Sequence, residues 1–354
     1  MSKLKLGITI GDINGVSPEV IIKALSDERM LKQFTPIIYG SSKVLSYHKN
    51  IVDSDNFQFS SISNANSAKY NRINVLNCWD ETANIELGRA TKEAGKFAHI
   101  ALDRAVRDFQ NHHIDGIITA PINKNAMKMA DFPFPGHTEF IADKFKSSNS
   151  LMMMVSDSLR VALVTNHEPI ANVSSLITKE AVTRKLNILH KTLVQDFGLE
   201  KPLIAVLGLN PHAGDDGAIG SEDETEVRPA IIQAKKNGMS IMGPYSADGF
   251  FGSSQFRKFD AILAMYHDQG LIPFKALSFG NGVNFTAGLP IVRTSPDHGT
   301  AYDIAGKNTA DESSLRSAIY TALDIVKTRR EYHESRENAL ERTDRSRRER
   351  KGSK

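Results

Sequence analysis

The sequence predicts an α/β protein with a largely parallel β-sheet. Short runs of apolar and β-branched residues alternate with longer segments in which apolar residues recur at helical spacing. The 354 residues contain 40% hydrophobic and 24% charged positions, which is enough for one large or two medium domains. The glycine turn of residues 11–17 reads GDINGVS, and no segment supplies the G-x-G-x-x-G fingerprint. Any dinucleotide is therefore expected to bind outside the Rossmann scheme.

The individual elements follow from this alternation. The first strand is LKLGITI (4–10), and a helix begins at Pro18. The most regular helical pattern lies within 86–110, where apolar residues from Leu87 to Phe109 recur every three to five positions. The polar segment 60–71 is expected to be a surface loop. The other predicted strands are 116–120, 160–165, 202–209 and 261–266, and the other predicted helices are 179–198, 225–238 and 314–327.

Charge and composition limit the classes of partner. The net charge of +3 arises in the last twelve residues, which carry six Lys or Arg against two Asp or Glu. We expect residues 340–354 to be a disordered basic tail, and we expect no nucleic-acid partner. No apolar run approaches the roughly 20 residues that span a membrane, so a cytoplasmic protein is expected. The single cysteine, Cys78, is expected to be a buried structural thiol.

Three histidines follow predicted strands in the same way. His167, His212 and His267 come directly after, or within three residues of, the strands that end near residues 165, 209 and 266. Residues beyond the carboxyl ends of parallel strands line the crevice where ligands bind in α/β sheets. Neutral imidazoles are common ligands of transition metals. One such histidine is more often a structural group, but three with the same placement predict a metal site.

Two segments offer groups that could bind an anion. Gly136, His137 and Thr138 precede a helix-like segment, so backbone N–H groups and a threonine hydroxyl could receive a phosphate. A capping box that begins at Thr138 explains the same residues equally well. The second segment follows the strand that leads to His267, and its Gly-rich loops carry Lys275, Asn284 and Arg293.

These motifs together resemble a known family. The strings are TAP-x-N-K (119–124), GHTEF (136–140), NPHAG (210–214) followed by G-x-x-GSE, GP-x-x-AD (243–248), AMYHDQGL (264–271) and GVN-x-T-x-GLP-x-x-RTS-x-DHGTA (282–301). In this order they are similar to the 4-hydroxythreonine-4-phosphate dehydrogenases of pyridoxal phosphate biosynthesis. The resemblance extends from about residue 5 to about residue 328. One departure is the first turn, where family members often read GDPAGIGPE and this chain has GDINGVSPE.

The resemblance implies a fold, an assembly and a set of site residues. It implies a two-domain α/β/α fold similar to the isocitrate and isopropylmalate dehydrogenases, with one domain of residues 1–130 and 291–330 and a second of residues 131–290. It implies a homodimer whose metal site is shared between the chains. By position, His167, His212 and His267 match the metal ligands, His137, Thr138, Lys275, Asn284 and Arg293 match the substrate contacts, and Asp248 matches an acidic residue near the site.

The resemblance also implies the reaction. NAD or NADP and a divalent metal (Zn, Mg or Co) would serve the oxidation of 4-phosphooxy-L-threonine at C3, and the β-keto acid product would decarboxylate to 3-amino-2-oxopropyl phosphate. Asp268 could orient the imidazole of His267 as a hydrogen-bond acceptor. One alternative is a dehydrogenase of the same family that acts on 4-phospho-D-threonate or 4-phospho-D-erythronate. A second alternative is a non-catalytic protein that binds metals or anions.

Overall fold

A computed structural model describes residues 3–54, 56–147 and 149–337. Strands and helices alternate along this part of the chain, and the predicted α/β class is confirmed. The strands are β1 (Lys5–Thr9), β2 (Thr35–Gly40), β3 (Phe59–Ile62), β4 (Ile73–Asn77), β5 (Gly116–Thr119), β6 (Leu151–Val155), β7 (Arg160–Leu163), β8 (Leu203–Leu207), β9 (Ser240–Tyr245), β10 (Ala261–Ala264), β11 (Val283–Ala287) and β12 (Arg293–Pro296).

Helices connect these strands and cover the sheet. They are α1 (Ser17–Leu25), α2 (Glu28–Leu31), α3 (Ser42–Val52), α4 (Lys92–Gln110), α5 (Lys124–Met129), α6 (His137–Lys144), α7 (Ile170–Leu176), α8 (Lys179–Gln195), α9 (Arg228–Lys236), α10 (Ala247–Gly252), α11 (His267–Ser278) and α12 (Ser313–Glu337). Short turns of other helical types cover Ala65–Ser67, Pro211–Gly217, Asp223–Val227 and Gln255–Lys258. Among the described residues, no helix is long and apolar enough to cross a membrane.

The twelve strands form one sheet in the order β3-β4-β2-β1-β5-β12-β11-β6-β7-β10-β8-β9. Pairing is parallel except where β11 meets β12 and β6, and where β6 meets β7. Strands β7, β10 and β8 are parallel neighbours. Their carboxyl ends therefore lie at the same edge of the sheet, and this edge carries the three histidines that the sequence singled out.

Several boundaries differ from the sequence-based predictions, and the largest difference is at α12, which continues to Glu337 rather than ending near residue 327. Helix α4 begins after Thr91, whose hydroxyl accepts a hydrogen bond from the N–H of Ala94 at 3.1 Å. This N-cap ends the irregular segment before it, so Leu87 lies outside the helix although it fits the apolar spacing. The predicted loop at 60–71 is wrong in part, because residues 60–62 belong to β3 and pair with β4 in parallel.

The turn that departs from the family pattern is held by buried side chains. Gly11 has φ +70, and a Cβ there would lie 2.5 Å from the carbonyl oxygen of Pro121, so the turn requires glycine. The amide nitrogen of Asn14 donates to the Arg89 carbonyl and to the Thr91 hydroxyl, each at 3.0 Å. The amide oxygen of Asn14 accepts from the N–H of Glu86 at 2.8 Å. Asn14 thus ties the turn to the segment that precedes α4.

The division into two domains stays a prediction. The strands of residues 1–130 and 291–330 occupy one half of the sheet order and those of residues 131–290 the other, yet the pairing of β11 with β12 joins the halves into one sheet. The predicted basic tail, residues 340–354, lies outside the described residues.

Candidate active site

A cavity of about 730 Å³ lies where residues of β5, β11 and β12, and the segment that follows β7, approach helices α6 and α8. It contains four of the five residues predicted to contact substrate and one of the three predicted to bind a metal. These residues are His137, Thr138, Asn284, Arg293 and His167. The chain therefore brings a candidate anion site and a candidate metal ligand into one cavity.

A buried guanidinium forms one end of this cavity. Arg293 is 4% exposed and His137 is 8% exposed. The Nε of Arg293 donates to the hydroxyl of Thr119 at 2.9 Å, and Nη1 donates to the hydroxyl of Thr286 at 3.1 Å. Burial lowers the pKa of Arg293 to about 10, so the group stays charged at neutral pH. Its two hydrogen-bond acceptors are neutral hydroxyls, so no described carboxylate is hydrogen-bonded to the guanidinium, and an anionic ligand is favoured.

His137 completes this end as a neutral donor or acceptor. Burial, and then the positive charge of Arg293, lower the pKa of His137 well below its ordinary value. Its Nδ1 lies 3.3 Å from Nη2 of Arg293, and its Nε2 is buried without a partner among the described residues. Helix α6 begins at His137 after an N-cap at Gly136, so Thr138 lies within the first turn. The capping box that began at Thr138 is therefore wrong, and no side chain caps the helix.

His167 and His267 approach each other beyond the ends of β7 and β10. Their ring centroids are 5.7 Å apart. Burial, and then the charges of Lys124 and His267, lower the pKa of His167, which favours the neutral imidazole that a metal ion requires. Nδ1 of His267 lies 2.7 Å from Oδ1 of Asp268. A carboxylate only accepts, so Nδ1 donates and Nε2 of His267 keeps its lone pair for a ligand.

His212 lies at the same edge of the sheet, in a left-handed turn after β8. Its φ is 54, and Ala213 to Asp216 also have positive φ values. Its charge acts on Asp248, whose pKa is lowered first by the hydrogen bond from the Ser246 hydroxyl. Within the described residues of one chain, no three His, Cys, Asp or Glu side chains form a group that could hold a metal ion. The three histidines therefore do not form a complete metal site in one chain.

Lys275 is the predicted substrate contact that does not line this cavity. It lies on α11, and its ammonium is 3.0 Å from Oδ1 of Asp297. Its contact with substrate stays a prediction, as do the other site assignments.

The cavity also contains residues to which the sequence analysis gave no role. They are Lys124, Glu139, Asn166, Arg184 and His298. Lys124, Glu139 and His298 had a signal, because they belong to the TAP-x-N-K, GHTEF and DHGTA strings. Oδ1 of Asn166 and Nε2 of His298 are buried and lack partners in the described part of the chain. The walls of the cavity thus offer unused hydrogen-bonding groups.

A second cavity of about 570 Å³ adjoins the first and shares His298 with it. Its walls are formed in part by Phe279, Ala301 and Ile304. The side chain of Phe279 is 85% exposed. An apolar space thus lies beside a polar one.

Residues 32–322 match the family model described as pyridoxal phosphate biosynthetic protein PdxA. The chain belongs to the PdxA family. The family resemblance drawn from the sequence motifs is thus confirmed, and the motifs of the cavity all lie within the matched region.

Individual relatives of the PdxA family agree with this. A protein of Bacteroides thetaiotaomicron named 4-hydroxythreonine-4-phosphate dehydrogenase is 51% identical over 340 residues, which cover 96% of this chain and 93% of the relative. A protein of Oceanobacillus iheyensis, provisionally named D-threonate 4-phosphate dehydrogenase, is 38% identical over 328 residues. These residues cover 92% of this chain and 98% of the relative. The crystal structure of 4-hydroxythreonine-4-phosphate dehydrogenase from Klebsiella pneumoniae is 31% identical, with a TM-score of 0.81 over 92% of this chain and 100% of that one.

Proposed function

We propose that this chain is an NAD(P)-dependent 4-hydroxythreonine-4-phosphate dehydrogenase. It oxidises 4-phosphooxy-L-threonine at C3, and the product decarboxylates to 3-amino-2-oxopropyl phosphate. The observation that carries this proposal is the 51% identity, over almost all of both chains, with a relative of that name. The cavity supports it, because it is lined both by a buried arginine, Arg293, and by a candidate metal ligand, His167.

Arg293, His137, Thr138 and Asn284 bind the substrate phosphate in this proposal. Arg293 supplies the positive charge, and the other three supply neutral hydrogen-bonding groups around it. Lys275 would add a second positive charge if its ion pair with Asp297 opens or if the phosphate joins it. Burial of Arg293 excludes water from the contact, which strengthens the attraction between its charge and the phosphate.

A divalent ion (Zn, Mg or Co) is proposed to bind His167 and His267 of one chain and His212 of the other chain of a homodimer. The residues fit such an ion, since His167 is held neutral and Asp268 leaves Nε2 of His267 free. When bound, a divalent cation lowers the pKa of a hydroxyl group that it contacts. His167 and His267 would orient the C3 hydroxyl within the cavity that also holds the phosphate. Asp248 stays a candidate for proton transfer near His212.

The nicotinamide cofactor is proposed to occupy the second cavity. Hydride transfer requires the nicotinamide ring to contact the carbon that is oxidised, and the shared wall at His298 places the two cavities side by side. When bound there, the cofactor would supply the acceptor for the hydride of C3, so that C3 would become a ketone as the hydroxyl proton is released to solvent.

The alternative substrate is 4-phospho-D-threonate, for which the relative from Oceanobacillus iheyensis is provisionally named. Both substrates carry the phosphate, so the Arg293 end of the cavity serves either one. A panel of purified substrates, with NADH or NADPH formation as the readout, tests the proposal. We expect the highest kcat/KM with 4-phosphooxy-L-threonine, and faster oxidation of 4-phospho-D-threonate would establish the alternative instead. A protein that reduces neither cofactor with any phosphorylated substrate would restore the non-catalytic alternative.

A further inference from the structure

Two charged side chains in the first cavity have no partner within the described chain. Lys124 is the first residue of α5, and Glu139 lies in the first turn of α6. Neither side chain forms a hydrogen bond or an ion pair with another described residue, although both face the same space. Oε2 of Glu139 and Cε of Lys124 lie 3.3 and 4.0 Å from the point that a Cβ on Gly136 would occupy. Both groups are therefore available to a ligand in the cavity.

Their charges occupy different places along the cavity. The positive charge of Arg293 acts on His137 and contributes to the lowered pKa of that histidine. The positive charge of Lys124 acts instead on His167 and contributes to the lowered pKa there. The negative charge of Glu139 opposes the lowering of the pKa of both Arg293 and His167, so Glu139 lies within reach of both ends. Glu139 and Lys124 both lie near Gly136, and Arg293 contacts the adjacent His137, so the cavity presents two positive charges and one negative charge.

We propose that Lys124 binds the carboxylate and Glu139 binds the α-ammonium group of the substrate. This inference rests on the proposed function, which places the phosphate at Arg293. The substrate carries a phosphate at C4, an ammonium at C2 and a carboxylate at C1, so its charges run negative, positive and negative along the carbon chain. These three charges complement those of Arg293, Glu139 and Lys124, which line the same cavity. The C3 hydroxyl, between the phosphate and the ammonium, is then held beside the same wall as His167.

The same arrangement gives a reason for discrimination between substrates. 4-Phospho-D-threonate has a hydroxyl at C2 in place of the ammonium and is otherwise identical. A hydroxyl cannot form an ion pair with Glu139, so the carboxylate of Glu139 favours the amino acid. Lys124 makes the same contact with both compounds, because both carry the C1 carboxylate. Glu139 is thus the residue that determines specificity, and Lys124 is a binding residue common to both substrates.

The first experiment compares kcat/KM for the two substrates in the Glu139→Gln enzyme. Loss of a charge-assisted hydrogen bond should lower kcat/KM for 4-phosphooxy-L-threonine about ten- to a hundredfold relative to kcat/KM for 4-phospho-D-threonate. The value for 4-phospho-D-threonate itself should change little. Asp143→Asn, one turn farther along α6 and exposed, is the matched control and should leave the ratio unchanged. An equal fall with both substrates would overturn the assignment of Glu139.

The second experiment measures binding by calorimetry and needs no turnover. Native enzyme should bind 4-phosphooxy-L-threonine about ten- to a hundredfold more tightly than 3-amino-2-hydroxypropyl phosphate, which lacks the carboxylate. Lys124→Met should bind both compounds equally, and Lys124→Arg should restore most of the difference. Lys128→Met, on the exposed side of α5, is the control. If Lys124→Met retains the full preference for the carboxylate, the assignment of Lys124 is wrong.

Failure of the proposed function would give a different result. A native enzyme that binds both amino phosphates but oxidises neither would refute the dehydrogenase, while the calorimetric comparison would still decide on Lys124. A native enzyme that oxidises 4-phospho-D-threonate faster would refute both the amino acid substrate and the assignment of Glu139.

Discussion

The guanidinium of Arg293 and the imidazole of His137 lie 3.3 Å apart in the buried end of the cavity. Both side chains are almost fully buried, and the positive charge of Arg293 helps to keep His137 neutral. The pair therefore presents one positive charge and one neutral group to a ligand. A phosphate suits this combination, since it can pair with the guanidinium and also exchange a hydrogen bond with Nε2 of His137.

Replacement of Arg293 by lysine tests this geometry while it keeps a positive charge. Lysine cannot reproduce the planar fork that bonds Thr119, Thr286 and an anion together, so kcat/KM for the phosphorylated substrate should fall about ten- to a hundredfold. Unphosphorylated 4-hydroxythreonine should be a poor substrate for the native enzyme and barely worse for Arg293→Lys. Equal activity of the native enzyme with and without the phosphate would contradict the assignment.

His48 should make the stability of the protein depend on pH. It is buried, and burial lowers its pKa to about 4, below the ordinary histidine value of about 6.5. Between these values the unfolded chain binds more protons than the folded one, so the free energy of unfolding falls as the pH falls from 6.5 to 4. The shift corresponds to about 3 kcal/mol in total and about 2 kcal/mol between pH 7 and pH 5.

Urea unfolding at pH 7 and pH 5 measures this effect. His48→Gln can still donate to the carbonyl of Ile13, which lies 2.9 Å from Nε2 of His48, but it cannot titrate. The loss of stability between the two pH values should shrink by about 2 kcal/mol in this variant. Exposed His112, replaced by asparagine, should leave the pH dependence unchanged. The same pH dependence in the native protein and in His48→Gln would rule out His48 as its source.

Asn14 should stabilise the fold through the three hydrogen bonds that it forms. Asn14→Ala would leave the Glu86 N–H and the Arg89 carbonyl without their partner, at a cost of about 1 to 3 kcal/mol in the free energy of unfolding. Chemical denaturation measures the difference. Exposed Asn84, which donates to the Glu86 carboxylate, is the control, and Asn84→Ala should change the stability by less than about 0.5 kcal/mol. Equal effects of the two substitutions would show that the buried hydrogen bonds of the Asn14 side chain do not increase the free energy of unfolding.

The sequence predicted five of the twelve described strands, β1, β5, β7, β8 and β10, which are largely apolar runs, and left the others unassigned. Strand β10 and His267 could be located because apolar runs and a following polar residue are local features. The hydrogen bonds from Arg293 to Thr119 and Thr286 join three strands, and no local pattern specifies them. Residues 60–62 were missed as part of β3, because a polar edge strand lacks the apolar pattern of a buried one.

The candidate site could also be predicted only in part from the sequence. The GHTEF string located His137 and Thr138, and the strand ends located His167, but Lys124 and Glu139 could not be ranked above other charged residues. Their importance depends on the absence of a partner for each charge within the described chain, which is a property of the folded chain. Asn14 had been noted only as a departure from the family, and its three bonds depend on residues more than 70 positions away.

Metal binding should require both chains of a dimer. Alanine at His167, His212 or His267 should remove a ligand, abolish turnover and lower the bound Zn, Mg or Co measured by elemental analysis, with little loss of fold. The ring centroids of His167 and His267 are 5.7 Å apart in one chain. His212 of the same chain acts on Asp248 and forms no three-residue group with them among the described residues. The proposed site therefore takes two ligands from one chain and one from its partner.

Mixtures of inactive variants test this division. After subunit exchange, His267→Ala with His212→Ala should form heterodimers that have one intact site out of two, so about a quarter of native activity should return in a random mixture. His167→Ala with His267→Ala is the matched control and should stay inactive, because neither chain then supplies both of the paired histidines. Recovery in the control but not in the first mixture would mean that His267 and His212 come from the same chain. Full metal content and activity in the triple alanine variant after exhaustive chelation would exclude all three histidines as ligands.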